Sequence, residues 1–167
     1  MKLSYLFKSL IISLSVLTFS INAAHHEESE LNYKDGQQAV MDAFGWDFDE
    51  AEISIESVSD NIHVLFGLGG NILVSTGVDG VLLVDDQMPE LKYKILRSLR
   101  KIGGKSVDYI INTHWHFDHA EGNLAFGPDG AKIVAHENSR KMMLNPKPIN
   151  LSFIVYPQQP YPLNAVP

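Results

Sequence analysis

Within six residues, His114-Trp115-His116-Phe117-Asp118-His119, the chain places three imidazoles and a carboxylate directly behind the apolar run Val107-Asp108-Tyr109-Ile110-Ile111. No other stretch narrows the possible folds so far. Gly103-Gly104 precede the run and a polar turn follows it, the pattern of a buried strand whose end opens into a loop. Alternate side chains of an extended backbone share a face, so His114 and His116 can reach a single ion at about 2.0–2.1 Å. Asp118 and His119 then turn to a neighbouring position. That division suits two metals about 3.5–4 Å apart better than one closed tetrahedral site, and it points to catalysis rather than scaffolding. The plainer reading is a solvated loop, but three His and one Asp in six positions exceed surface decoration. Cysteine is absent, which removes Cys-rich structural zinc as an alternative.

The rest of the chain divides into a leader, a polar segment and a folded region. Lys2 and Lys8 flank or enter the apolar stretch Leu10 to Phe19, which is followed by Ser20-Ile21-Asn22-Ala23-Ala24. Residues 1–24 therefore read as a secretory signal peptide; the stretch is shorter than the ~20 residues that span a bilayer, so no stable membrane anchor is expected after cleavage. Export without cysteine fits a periplasmic or secreted protein. Removing the two lysines of the leader leaves 11 basic against 20 acidic side chains, a formal net charge of −9. An acidic chain without a basic stripe lacks the footprint for phosphate backbones, so nucleic acid is not the expected partner and a small-molecule substrate is. Residues 25–50 are polar; His25-His26 could hold a stray metal but are expected in a flexible new N-terminus, and a short helix over Gln37 to Phe44 and a turn at Trp46-Asp47-Phe48 are expected.

From residue 51 onwards the pattern is α/β. Ile53 to Val58, Ile62 to Phe66, Asn71 to Ser75 and Val81 to Val84 are short, β-branched and separated by Asp-Asn, Gly-Gly and Asp-Gly turns, which predicts an antiparallel meander with His63 on a strand surface. Pro89 opens a helix over Glu90 to Ile102 with Leu91, Ile95, Leu96 and Leu99 on one face, and Gly103-Gly104 end it. After the histidine-rich loop come a helical turn at Glu121 to Phe126, a strand Lys132 to Ala135, a helix from about Glu137 to Leu144 and a proline-rich tail.

His-x-His-x-Asp-His after a strand resembles the metallo-β-lactamase-fold hydrolases, and the resemblance runs from about Val58 to Met143. It implies that His114 and His116 bind one metal, that Asp118 and His119 bind a second, and that Asp118 is the catalytic residue, holding the water nucleophile and taking up its proton. The strand Gly80-Val81-Leu82-Leu83-Val84-Asp85 resembles the family's strand ending in an acid behind the metals, which makes Asp85 the residue that orients a His ligand. Gly69-Gly70-Asn71 resembles the family's turn before the next strand. Glu121 stands where a second glycine is frequent. His136 matches the start of a family helix rather than a ligand position.

The fold implied is a metallo-β-lactamase-like αβ/βα sandwich, of which residues 51–167 supply the first half, with one face of the sheet left open. The family's remaining ligands come from a later half, so the chain reads as the front of a longer protein. The activity implied is hydrolysis of a carbonyl substrate (lactam, thioester or lactone) by zinc-bound hydroxide, with two Zn2+ per complete domain. The alternatives are a mononuclear iron oxidoreductase of the same fold and an inactive fragment. With two protein ligands per ion, where catalytic zinc normally has three, the 167-residue chain alone is expected to bind zinc weakly and to show little turnover.

Overall fold

The computed structural model describes residues 35–145, 148–150 and 155–156. The expected leader, His25-His26 and most of the proline-rich tail lie outside them. A helix α1 covers 35–44, ending at Gly45, and buries Val40. A six-stranded sheet follows, in the order β1 (Ser54–Ser57), β2 (Ile62–Phe66), β3 (Ile72–Gly77), β4 (Gly80–Val84), β5 (Tyr109–Asn112) and β6 (Lys132–Ala135). The first four strands are antiparallel neighbours, as tight polar turns between short β-branched runs require, and β5 and β6 add in parallel.

Parallel addition needs a crossover, and the segment after β4 supplies it. A 3₁₀ turn (Pro89–Leu91) leads into α2 (Lys92–Lys101), so the expected helix begins as a tighter turn at the proline. Leu91, Ile95 and Leu99 recur at helical spacing and are fully buried against Leu65, Ile72, Val74, Leu83 and Ile110 of the sheet. Full burial of such side chains is worth about 1.5–3 kcal/mol each, which makes this layer the main source of cohesion. Arg97 and Arg100 face outward, and Lys92 reaches the Ala125 carbonyl (3.1 Å) and the Asp129 carboxylate (2.7 Å), tying the crossover to the segment beyond β5.

Strand alternation sends the other side chains to the opposite face. Leu73, Val84, Ile111 and Val134 are aligned across β3 to β6, and Leu73, Ile111 and Val134 are 37%, 40% and 56% exposed. Among the described residues, one face of the sheet is covered by helix and the other is open, as half of a sandwich should be. The phase of β2 corrects one expectation. His63 is 6% exposed rather than on the surface, because it lies two residues from the buried Leu65, beside Val74, on the helix-covered side; its Nδ1 pairs with Ser57 Oγ at 3.0 Å.

Beyond β5 the chain makes two single helical turns, α3 (Phe117–Ala120) and α4 (Asn123–Phe126), before β6. The expected turn at Glu121 to Phe126 is thus the second of a pair. Helix α5 (Glu137–Leu144) follows β6, and the His136 ring accepts a hydrogen bond from the Asn138 amide at its N-terminus. Two short strands, β7 (Ile149–Asn150) and β8 (Val155–Tyr156), pair with each other. No described helix is long and apolar enough to cross a membrane.

Candidate metal centre

The histidine-rich loop is built where β4 and β5 end side by side. Beyond β5 the chain bends at Thr113 and His114, and His116, extended at φ −67° and ψ 149°, is the N-cap of α3. The change from extended to helical backbone at His116 turns Asp118 and His119 away from the line of the strand. Phe117 is buried, stacked 4.1 Å from Tyr156, and anchors the turn from below. The polar side chains are thereby gathered: the His114 ring lies 4.7 Å from that of His116 and 4.2 Å from that of His119.

Asp85 sits under this cluster. It is 4% exposed and accepts from the Thr113 amide (2.7 Å), from Thr113 Oγ1 (2.8 Å to Oδ2) and from His119 Nδ1 (2.7 Å). A ring whose Nδ1 is held by a carboxylate keeps the lone pair of Nε2 for another partner. That Nε2 lies 3.5 Å from Asp118 Oδ2. The Asp85 hydrogen bond, and then the charges of Asp118 and Asp85, hold the His119 pKa above its ordinary value against the opposing effect of burial. Burial, and then the neighbouring His119 and His116, push His114 below its ordinary value. These effects favour the neutral imidazole of His114, the form in which a histidine can ligate a metal.

The donor set passes one test and falls short of another. Two atoms bonded to one tetrahedral zinc at about 2.0–2.1 Å lie about 3.3–3.4 Å from each other. Asp118 Oδ2 and His119 Nε2, at 3.5 Å, meet that spacing. Among the described residues, however, no group of three or more His, Asp or Glu is arranged to hold an ion. The loop brings its potential donors together in pairs.

Several residues that the motif did not reveal complete the surroundings. Thr113 satisfies Asp85 from the start of the loop. Glu121 is fully buried, and its Oε2 accepts from Tyr156 Oη at 2.9 Å, which holds its carboxylate in the interior. Asp86 is fully buried too; its amide donates to the His119 carbonyl at 2.9 Å, while neither side-chain oxygen meets hydrogen-bond geometry. Burial, followed by the charges of Asp85 and Glu121, raises its pKa well above 3.8, with the nearby Gly122 amide opposing. Gly69 and Gly70 pass so close that a Cβ on Gly70 would stand 2.5–2.8 Å from three atoms of the His119 ring. Only glycine permits that approach.

A mixed sheet with helices on one face and an imidazole–carboxylate loop at the end of its first parallel strand defines a metallohydrolase fold. Residues 58–163 match the family model of the metallo-β-lactamase superfamily, and the chain belongs to that superfamily. Solved structures agree. A subclass B3 metallo-β-lactamase from a soil metagenome library superposes with a TM-score of 0.56 at 22% identity, covering 69% of this chain and 46% of that one. A Cronobacter sakazakii metallo-β-lactamase with a HARLDQ motif gives 0.55 at 18% identity, covering 69% and 46%. A subclass B3 metallo-β-lactamase of Bradyrhizobium japonicum gives 0.54 at 25% identity, covering 66% and 44%. At such identities the first two speak for the fold alone. The chain spans less than half the length of each.

Proposed function

We propose that the intact protein is a zinc-dependent hydrolase of a small carbonyl substrate, a lactam, thioester or lactone, acting in the periplasm or outside the cell. The observation that carries the proposal is the relay Asp85–His119–Asp118, which fixes one imidazole by its Nδ1 and sets its Nε2 beside a carboxylate oxygen at a spacing suited to one metal ion. In this reading His114 and His116 hold one ion and Asp118 with His119 the second. When bound, zinc lowers the pKa of a coordinated water towards ~7 and polarises a carbonyl oxygen.

The remaining work falls to the chain's own groups. Asp118 has its backbone anchored by the Gly70 amide (3.2 Å to its carbonyl), while its partly exposed carboxylate is open to a water and would take the proton from the attacking one. Asp85 keeps His119 in the Nδ1–H tautomer. Trp115 and Phe117 alternate with the histidines and seat the loop on the hydrophobic layer. Three protein ligands per catalytic zinc require donors beyond the described residues. The superfamily's hydrolases are therefore the guide to the whole protein, while the 167-residue chain by itself is expected to bind zinc weakly.

The test is an equilibrium zinc titration of the 167-residue chain beside its His116→Ala and Asp118→Asn variants, with hydrolysis of a chromogenic cephalosporin, an acyl thioester and an acyl lactone followed in parallel. Weak zinc binding that each substitution diminishes, with little turnover, is expected. Binding indifferent to both substitutions would remove this loop as the metal site, and micromolar or tighter binding with steady hydrolysis would show that the loop needs no further ligands.

A further inference from the structure

We propose that Gln87 is a positioning residue for the Asp118–His119 pair, acting through the glycine turn against which both residues lean. The proposal rests on the reading of that pair as metal ligands, but the first half of its test does not. Gln87 lies three residues beyond β4, is fully buried and has a left-handed backbone, φ +57°. A non-glycine residue in that region is strained, and it persists where the surroundings over-determine it. Here the surroundings are the two walls of the site.

The side chain grips one wall. Gln87 Nε2 donates to the Gly70 carbonyl, and a Cβ on Gly67 would stand 2.8 Å from Oε1 and 3.2 Å from Nε2, so the amide fills the space that the 67–70 turn leaves. The main chain grips the other. The Gln87 carbonyl accepts from the Gly122 amide at 2.8 Å, and Gln87 forms an isolated parallel bridge with Ala120, at the end of α3. Between these holds lie Asp118 and His119. Gly70 donates to the Asp118 carbonyl at 3.2 Å and abuts the His119 ring, while Asp85 holds that ring's Nδ1. Asp85 fixes one atom of the imidazole; Gln87, through Gly70, closes the flank towards which the ring could otherwise turn.

Gln87→Met is the discriminating variant, because methionine has the same length and the same backbone demand but no N–H donor. In the metal-free protein labelled with ¹⁵N-histidine, we expect the His119 Nδ1–H signal bonded to Asp85 to persist while nuclear Overhauser contacts from the His119 ring to Gly70 weaken or vanish. On titration with zinc, the response of His119 Nε2 should require about ten- to a hundredfold more metal than in the parent, with His114 and His116 unchanged. Retention of both the Gly70 contacts and the zinc response would overturn the proposal. If His119 of the parent does not respond to zinc, the ligand reading fails and the proposal for the metal pair falls with it, while the Gly70 contacts still report whether Gln87 positions the ring. Should Gln87→Met not fold, Gln87→Gly, which relieves the positive φ while removing the amide, is read by the same two criteria.

Discussion

The two ends of the sheet are made by the same strands and differ in almost every other respect. At one end β3 and β4 are joined by Gly77-Val78-Asp79-Gly80, a hairpin whose Val78 is fully exposed, and β5 is entered through the Gly103 to Ser106 loop, in which Gly103, Lys105 and Ser106 are exposed. Asp108, just before β5, is partly exposed and accepts from the Val81 amide at 2.8 Å. At the other end Asp85, Asp86, Gln87, Asn112, Glu121 and Asn123 are all buried, and Asp85 and Gln87 have positive φ. Stability alone does not call for this. Burying polar groups and holding L-residues in left-handed backbone both cost free energy, so a chain that concentrates them at one end of an ordinary sheet marks that end as the one selected for chemistry.

Paired substitutions sharpen the contrast. Gly70→Ala should have the largest effect, a loss of about 3 kcal/mol in chemical denaturation, because the new methyl meets the His119 ring on one side of a packed turn. A loss under about 1 kcal/mol would show that the site end yields as readily as the hairpin. Asp85→Asn comes next, at about 1.5–3 kcal/mol, since it replaces the charged acceptor of Thr113 and His119. His119 has a raised folded pKa, so its contribution is complete below 6.5 and is lost as pH rises through the raised value; the penalty should be greater at about pH 6 than at about pH 9. Denaturation curves at the two values check the sign.

Asp86→Asn should act more mildly and in the opposite direction. A carboxyl raised above 3.8 in the folded state favours folding fully below that value and progressively less as pH climbs through its folded pKa. Parent and variant should therefore match near about pH 4 and separate towards neutrality with the variant more stable; parallel curves across the range would contradict the burial of an uncompensated carboxyl. Gly77→Ala, at the plain end, meets nothing within 4 Å and has no positive φ, so a gain of about 0.5 kcal/mol is expected. Destabilisation there comparable to that of Gly70→Ala would erase the distinction between the ends.

The sequence made the strands, the crossover helix and the histidine-rich loop legible because each has a local signature. Short β-branched runs between turn dipeptides marked β1 to β4, the spacing of Leu91, Ile95 and Leu99 marked the helix, and the density of His and Asp marked the loop. Asp85 was legible only through its place at the end of a strand in a recognisable family pattern. What stayed hidden depends on distant partners. Gln87 looks like any residue before Met88-Pro89, and only the fold brings it to Gly70; nothing in its neighbours announces a positive φ. Glu121 broke the family pattern without revealing where its carboxylate goes, because Tyr156, 35 residues later, supplies the answer. His63 was misplaced because a short apolar run, Ile62 to Phe66, fixes a strand without fixing which of its faces is covered.

The chain contains two tryptophans, and both stand at this loop. Trp115 is part of it, with its ring 5.0 Å from that of His116, and Trp46 lies 6.5 Å from Phe117 and borders the turn at Gly69. Tryptophan fluorescence is therefore a local gauge rather than an average over the molecule: a shift of the glycine turn or the arrival of a quenching ion would each alter the emission, while events at the Val78 hairpin would leave it unchanged.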